Sequence, residues 1–385
     1  MEKIVKSLLN LPVLSATKFP VGLQSHVDDL IRIIKKNSMQ VCWIVICGQG
    51  GSGKTTLAKA IYHQIHGTFK EKSFVENIGQ FSGIRGDILS LKQLLSELLE
   101  TKVDRIEMVR SMIRERLCGK RVFIVLDDVR EFNASLLREC YHWFGGGTVI
   151  IITTRDEYLA MRYQVDDVFY VKLMKANESL ELLSWHAFRE AKPTEEYRSL
   201  ARRVVAYCGG LPLTLEVIGT YLRERTTEEW NRVLLRLGNI PEHKFDQILK
   251  ISFDGLRNQV EKDLFLDICR SFVGKGRAYA TKILNGCGVD ADSGIRVLME
   301  RSLIKVNKND KLGMHPLLLE MGREIILQIS REEPWKYSQL LFGRNAKYAF
   351  SENRVRTPFP MVLKLLLEMV AFSYVIYLFF LALFI

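Results

Sequence analysis

The chain is expected to fold as an α/β domain on a parallel sheet, followed by an all-helical region and a small module of strands and helices. Three observations predict this. The apolar runs within 41–47, 121–129 and 147–155 are continuous, as strands buried in a parallel sheet are, and the latter two carry Asp-Asp and Thr-Thr-Arg toward their carboxyl ends. From Glu178 onward, apolar residues recur at helical spacing instead. Near the end, "SLIKVNKNDKLGMHPLLLEMGREIILQI" reads as a short strand, an Asn-Asp turn, a second strand and a helix.

The totals fit a globular chain. Its 385 residues allow more than one domain, and 48% hydrophobic with 26% charged residues argue against wholesale disorder. The net charge of +11 raises the question of nucleic acid. Lys and Arg are spread without a dense run or a zinc-finger or RNA-binding signature, so direct nucleic-acid binding is disfavoured. The seven cysteines form no C-x-x-C pair and no metal-ligand spacing, which points to a reducing, cytoplasmic compartment. The N-terminus, "MEKIVKSLLNLPVLSATKFP", has a proline-broken apolar patch too weak for a signal peptide. The apolar tail 361–385 is at the short end of a membrane span. Arg344, Lys347, Arg354 and Arg356 ahead of it would hold the preceding domains on the cytoplasmic side. The alternative is a segment that replaced the normal continuation of the protein.

The first run leads into "GQGGSGKTTLAKAIYHQI", which contains G-x-x-x-x-G-K-T as Gly48, Gly53, Lys54 and Thr55. Strand, glycine-rich loop and helix is the context that a phosphate-binding P-loop requires. Glycines let backbone N–H groups curl around phosphate oxygens, and the helix N-terminus favours negative charge. Lys54 supplies a point charge, and the Thr55 hydroxyl can address Mg²⁺. The second run, "RVFIVLDDV", ends in Asp127 and Asp128. Ligands sit at the carboxyl ends of such strands, which places Asp127 to hold Mg²⁺ and Asp128 to polarise an attacking water. The bland alternative is a surface Asp-Asp turn. The third run ends in Thr153, Thr154 and Arg155; Arg155 is either a sensor of the terminal phosphate or a surface ion-pair partner. "SFVENI" (73–78) and helical patterns near 88–100 and 104–117 complete a doubly wound sheet.

Helices are expected over 177–191, 195–210 and 213–224, with Gly209 and Gly210 stopping the second and Pro212 starting the third. Trp185 and Phe188 read as core positions. Further helices are expected near 228–238, 243–255, 260–270, 278–286 and 292–301. The strands that follow give the outline of a winged helix. In "MHP", Pro316 suits a first helical turn, and His315 is either punctuation or a ligand contact.

In this order the motifs resemble the NB-ARC core of plant immune receptors, in the branch that usually carries an N-terminal TIR domain and C-terminal leucine-rich repeats. The resemblance spans roughly residues 17 to 353. "FPVGLQSHVDDL" is similar to the family motif in which Val21 and Gly22 would lie near the adenine. "GQGGSGKTT" resembles its P-loop, adding Gly50, Gly51 and Thr56 to the nucleotide-binding set. "VFIVLDDV" resembles its Walker B strand, and "GTVIIITTRDEYL" the strand ending in its sensor arginine, here Arg155. "ESLELLSWHAF" and "FLDICRSFVGK" resemble further blocks. In "GGLPLTLEVIG", Pro212 would pack on the adenine side, and "LGMHPLLLEMGREII" resembles the motif usually written M-H-D.

The resemblance implies a switch in which ADP holds a closed arrangement and exchange for ATP permits opening and oligomerisation. His315 would contact the phosphates. It also implies a division into a linker remnant (1–18), a P-loop NTPase domain (19–172), a helical subdomain (173–240), a winged-helix subdomain (241–335), a linker (336–360) and the hydrophobic tail (361–385). Any hydrolysis is expected to be slow. Expected partners are full-length immune receptors or a second copy of the chain; the alternative function is an adaptor or decoy with little nucleotide turnover. A DNA-binding winged helix is disfavoured because no recognition helix is visibly basic.

Three departures stand out. No TIR domain precedes residue 17 and no repeats follow 353, so the sequence resembles an isolated switch module. Arg270 and Ser271 occupy positions that are uncharged and apolar in the family, an expensive choice if that face is buried. Pro316 replaces the family aspartate and offers neither its capping oxygen nor its charge, which predicts a weakened closed state.

Overall fold

The computed structural model describes residues 17–76, 78, 115, 117–129, 144–163, 165–241 and 244–332. The expected helices near 88–100 and 104–117, the linker 336–360 and the tail 361–385 lie outside or almost wholly outside these residues. Among the described residues, no helix is long and apolar enough to cross a membrane. The chain divides into two compact units. The first runs to Gly255 and includes Arg301–Leu303 and His315–Leu318; the second holds Leu256–Glu300, Ile304–Met314 and the chain from Leu319.

In the first unit, helix α1 (Leu23–Lys36) precedes strand β1 (Cys42–Cys47), which enters the glycine loop and helix α2 (Lys54–Ile65). Strands β2 (Glu71–Val75), β3 (Val122–Leu126) and β4 (Val149–Thr154) follow, then helix α3 (Tyr158–Tyr163) and strand β5 (Asp167–Tyr170). The sheet order is β2-β3-β4-β1-β5, and every pairing is parallel. All residues of β1, β3 and β4 are buried, which is why these segments read as unbroken apolar runs. On one face, alternate residues such as Ile44, Ile46, Phe123 and Ile151 pack with Val27 and Leu30 of α1 and Leu57 and Ile61 of α2.

Strand β5 was not expected from sequence. Its four residues are half-buried or exposed, so the segment lacks the apolar run that marked the other strands. It lines the outer side of β1, pairing Ile44 with Asp167 through Cys47 with Tyr170.

The same unit continues with α4 (Ala176–Ala187), α5 (Glu195–Cys208), α6 (Pro212–Leu222), α7 (Thr227–Gly238) and α8 (Phe245–Asp254). The start and stop signals act as read: Pro212 is the first residue of α6, and Gly209 closes α5 in a left-handed conformation. Thr226 and Glu229 form a reciprocal capping box at α7. Trp230, with no exposed surface, stacks on Phe188 (centroids 5.5 Å apart) and meets Tyr197 edge-on. Phe188 thus packs on the helical core, whereas Trp185 is half-buried and stacks on Phe19 at 5.2 Å.

The second unit contains α9 (Gln259–Asp267), a π turn (Ile268–Phe272), α10 (Arg277–Gly286), α11 (Ala291–Glu300), strands β6 (Lys305–Val306) and β7 (Leu312–Gly313), and most of α12 (Pro316–Glu332). β6 and β7 pair antiparallel. The Asn307 side-chain oxygen accepts from the Asn309 and Lys311 amides and shapes the turn between them. Gly274, Lys275 and Arg277 bond to Leu312 and Asp310 on the far side of β7, completing the wing. Arg270 and Ser271 are half-buried. The cost that would follow from a buried face therefore does not arise in full; the π turn buries Ile268, Cys269 and Phe272 instead.

Candidate functional site

The site is assembled where β1, β3 and β4 end. After Cys47 the chain turns through glycines whose conformations only glycine adopts easily. Gly51 and Gly53 have φ of 80° and 96°. A Cβ on Gly51 would stand 3.0 Å from Leu213 Cβ, and one on Gly50 would stand 3.3 Å from Arg155 Cζ and 3.1 Å from Leu317 Cδ2. The loop is therefore pressed between side chains from distant parts of the sequence.

Lys54 opens α2 and is buried. Its Nζ donates to the carbonyls of Gly48 (2.7 Å) and Gln49 (2.8 Å). Burial, and then the nearby Arg155 charge, push the Lys54 pKa down from 10.5 to about 8, while Asp128 and Asp127 act the other way. Such an ammonium, short of solvation, gains from an anion set beside it. Thr55 follows at the end of the loop, and Thr56 is half-buried on the next position of α2.

Asp127 is fully buried. Its Oδ1 accepts from Thr55 Oγ1 at 2.8 Å and from Thr153 Oγ1 at 2.7 Å. Desolvation raises its pKa, and these two hydroxyl bonds pull it back down. Asp128 has a left-handed backbone, φ 55°, with its amide donating to Thr153 Oγ1 at 2.9 Å. Its Oδ1 lies 3.8 Å from Arg155 Nε. The Asp-Asp pair is thus not a surface turn. Arg155 forms the ion pair allowed by the bland reading, but does so against the phosphate loop.

Whether this set suits a nucleotide with Mg²⁺ can be tested on its polar atoms. Asp127 Oδ2 and Ser52 Oγ are buried with no hydrogen-bond partner, and buried polar atoms are nearly always satisfied. The hydroxyl and carboxylate of Thr55 and Asp127 are hard oxygen donors of the kind Mg²⁺ takes together with phosphate oxygens. The residues present fit the group.

The remaining expected site residues are placed as follows. Pro212 starts α6 so that the Leu213 amide donates to Gly51 O at 3.4 Å, bringing the helical layer onto the loop. Gly210 is held by this layer too, bonding to the Met174 amide at 2.9 Å. Val21 packs on the helical core. Gly22 precedes α1 with φ 69°, and a Cβ there would meet the Glu178 carboxylate at 3.2 Å. His315 belongs to the segment grouped with the first unit. Its Nδ1 accepts the Leu317 amide at 3.1 Å, so the ring supplies the cap at α12 that an aspartate at 316 would otherwise favour. With Nδ1 accepting, the neutral ring carries its proton on Nε2.

Sequence reasoning gave no role to Thr153, Ser52, Leu213 or Leu317. The signal for Thr153 was a pair of threonines at the buried end of a strand, where apolar residues are the rule.

The NB-ARC domain family matches residues 23–192, and the winged-helix domain of Roq1-like disease resistance proteins matches residues 258–330. Disease resistance protein RUN1 from Vitis rotundifolia is 39% identical over 326 residues, covering 83% of this chain and 24% of that protein. TMV resistance protein N from Nicotiana glutinosa is 32% identical over 343 residues, covering 86% of this chain and 29% of that protein. The chain spans about a quarter to a third of the length of the curated relatives it matches. Among solved structures, a signal transduction ATPase with numerous domains from Pyrococcus horikoshii, which has a tetratricopeptide repeat sensor, superposes with a TM-score of 0.51 at 19% identity. It covers 79% of this chain and 43% of that one, a likeness of fold. With a P-loop, two acids at the carboxyl end of a parallel sheet and both domain matches in sequence, the chain belongs to the NB-ARC family of plant disease resistance proteins.

Proposed function

We propose that this chain is a nucleotide-operated switch of plant defence signalling that binds ADP or ATP with Mg²⁺. The observation that carries this reading is the meeting of Lys54, Thr55, Asp127 and Arg155 at the carboxyl end of the sheet. Lys54 would leave the two loop carbonyls for the outer phosphates, and Arg155 would answer the terminal phosphate through the charge it now shares with Asp128. Thr55 and Asp127 would hold Mg²⁺, which when bound supplies positive charge to the phosphate oxygens. Asp128 would orient water for at most slow hydrolysis.

His315 would report on the phosphates through Nε2–H, and Val21, Gly22 and Pro212 would line the adenine side. A ligand moves such an equilibrium only through different contacts in its two states. Leu317 on Gly50, and Leu213 on Gly51, are contacts through which the loop could do this. The divisions at 19–172, 173–240 and 241–335, a cytoplasmic setting, and association with full-length receptors or a second copy belong to the same reading.

The test is the nucleotide released when the purified protein is denatured. We expect about one ADP or ATP per chain, lost on Lys54→Ala. A nucleotide-free wild type would refute the switch. Association with receptor proteins that survives Lys54→Ala would favour the adaptor.

A further inference from the structure

We infer that Thr153 is a positioning residue that sets both acids of the site, orienting Asp127 for Mg²⁺ and Asp128 for water. This rests on the nucleotide reading and adds to it a residue that acts through its neighbours.

A threonine hydroxyl has one proton to give and lone pairs to receive. Thr153 gives its proton to Asp127 Oδ1 at 2.7 Å and receives the Asp128 amide at 2.9 Å. Its own carbonyl accepts the Val129 amide at 2.9 Å. The last paired residues of β3 and β4 are Leu126 and Ile152. Thr153 therefore carries the link between these strands past the end of the ladder, where the two acids leave it. The residue is buried, so water does not substitute easily for its hydroxyl.

Two consequences meet at this one oxygen. Asp127 Oδ1 is fixed from two sides, by Thr55 and Thr153, and this orients Oδ2, the oxygen without a partner. Asp128 has a left-handed backbone, a conformation uncommon outside glycine although aspartate adopts it more readily than most residues. The Thr153 hydroxyl is the acceptor that anchors its amide. Removing the hydroxyl leaves the Asp127 carboxylate held by Thr55 alone and the Asp128 amide without its acceptor, while the Lys54 bonds to the loop carbonyls of Gly48 and Gln49 do not involve it.

The experiment compares wild type, Thr153→Val and Thr153→Ser for binding of a fluorescent ATP analogue across a Mg²⁺ titration. Loss of a group that orients a metal ligand typically costs about 10- to 100-fold in metal affinity. Thr153→Val should therefore need at least about tenfold more Mg²⁺ at half-saturation, with unchanged binding in EDTA. Thr153→Ser, which keeps the hydroxyl, should match wild type. A residue that only stabilised the fold would lower binding with and without Mg²⁺ alike. Melting without nucleotide checks folding; should Thr153→Val unfold, Thr153→Ala replaces it with the same shift expected. A wild-type Mg²⁺ midpoint in the valine variant, or a serine variant displaced as far as valine, would overturn the inference alone. A wild type that binds no nucleotide under any condition would overturn both this inference and the reading beneath it.

Discussion

Asp267 offers the sharpest test of the electrostatics in the second unit. It ends α9, is 5% exposed, and has an Oδ1 with no hydrogen-bond partner. Burial, and then the Asp263 charge, push its pKa up from 3.8 to about 8, with Arg270 acting against them. The folded value lies above the unfolded one, so the unfolded chain loses its proton first as pH rises. The stability that protonated Asp267 preserves is complete below about pH 4 and is lost progressively until about pH 8. The full span of the shift corresponds to about 6 kcal/mol at about 1.4 kcal/mol per unit. Between roughly pH 5.5 and pH 7.5, the loss should be about 2 to 3 kcal/mol. Asp267→Asn is uncharged at every pH and keeps the shape of the protonated acid. Urea unfolding of both proteins at these two pH values should show the wild type losing that amount relative to the variant. Parallel stabilities for the two proteins would mean that Arg270, or water, solvates the carboxylate, and the reasoning from burial would fail.

Other changes probe the first unit and the start of α12. Pro316→Asp adds a carboxylate at the first turn of α12, beside the His315 ring that already accepts the Leu317 amide. A charge there is worth about 0.3–1 kcal/mol, so ADP release should slow by about two- to fivefold; equal release rates would remove Pro316 as a determinant of the switch. Trp230→Ala empties a fully buried position stacked on Phe188. It should cost about 3–5 kcal/mol, read as an earlier urea transition of the helical layer.

Local chemistry made the phosphate loop legible. Gly48, Gly53, Lys54 and Thr55 lie close together in sequence, and strand, loop and helix are each encoded by their own residues. The apolar runs ending at Asp127 and Arg155 were legible for the same reason, since strands buried on both faces leave no room for polar alternation. β5 was not, because an edge strand of four residues carries too little apolar signal. Whether the face carrying Arg270 is buried was not legible either, and the π turn at Ile268–Phe272 leaves that residue half-buried. The capping by His315 depends on a side-chain rotation that sequence spacing does not report.

By itself, the sequence determined most of the elements, the phosphate-binding loop and the acids available to it, because these follow from short-range periodicity and from glycine, proline and charge at fixed spacing. Only the tertiary structure decided that β4 lies between β1 and β3. That order sets Thr153 against Asp127 and Asp128, while the helical layer brings Leu213 to Gly51. These contacts join residues far apart in the chain. Their existence depends on which strands pair and which helices pack, and no local pattern carries that information.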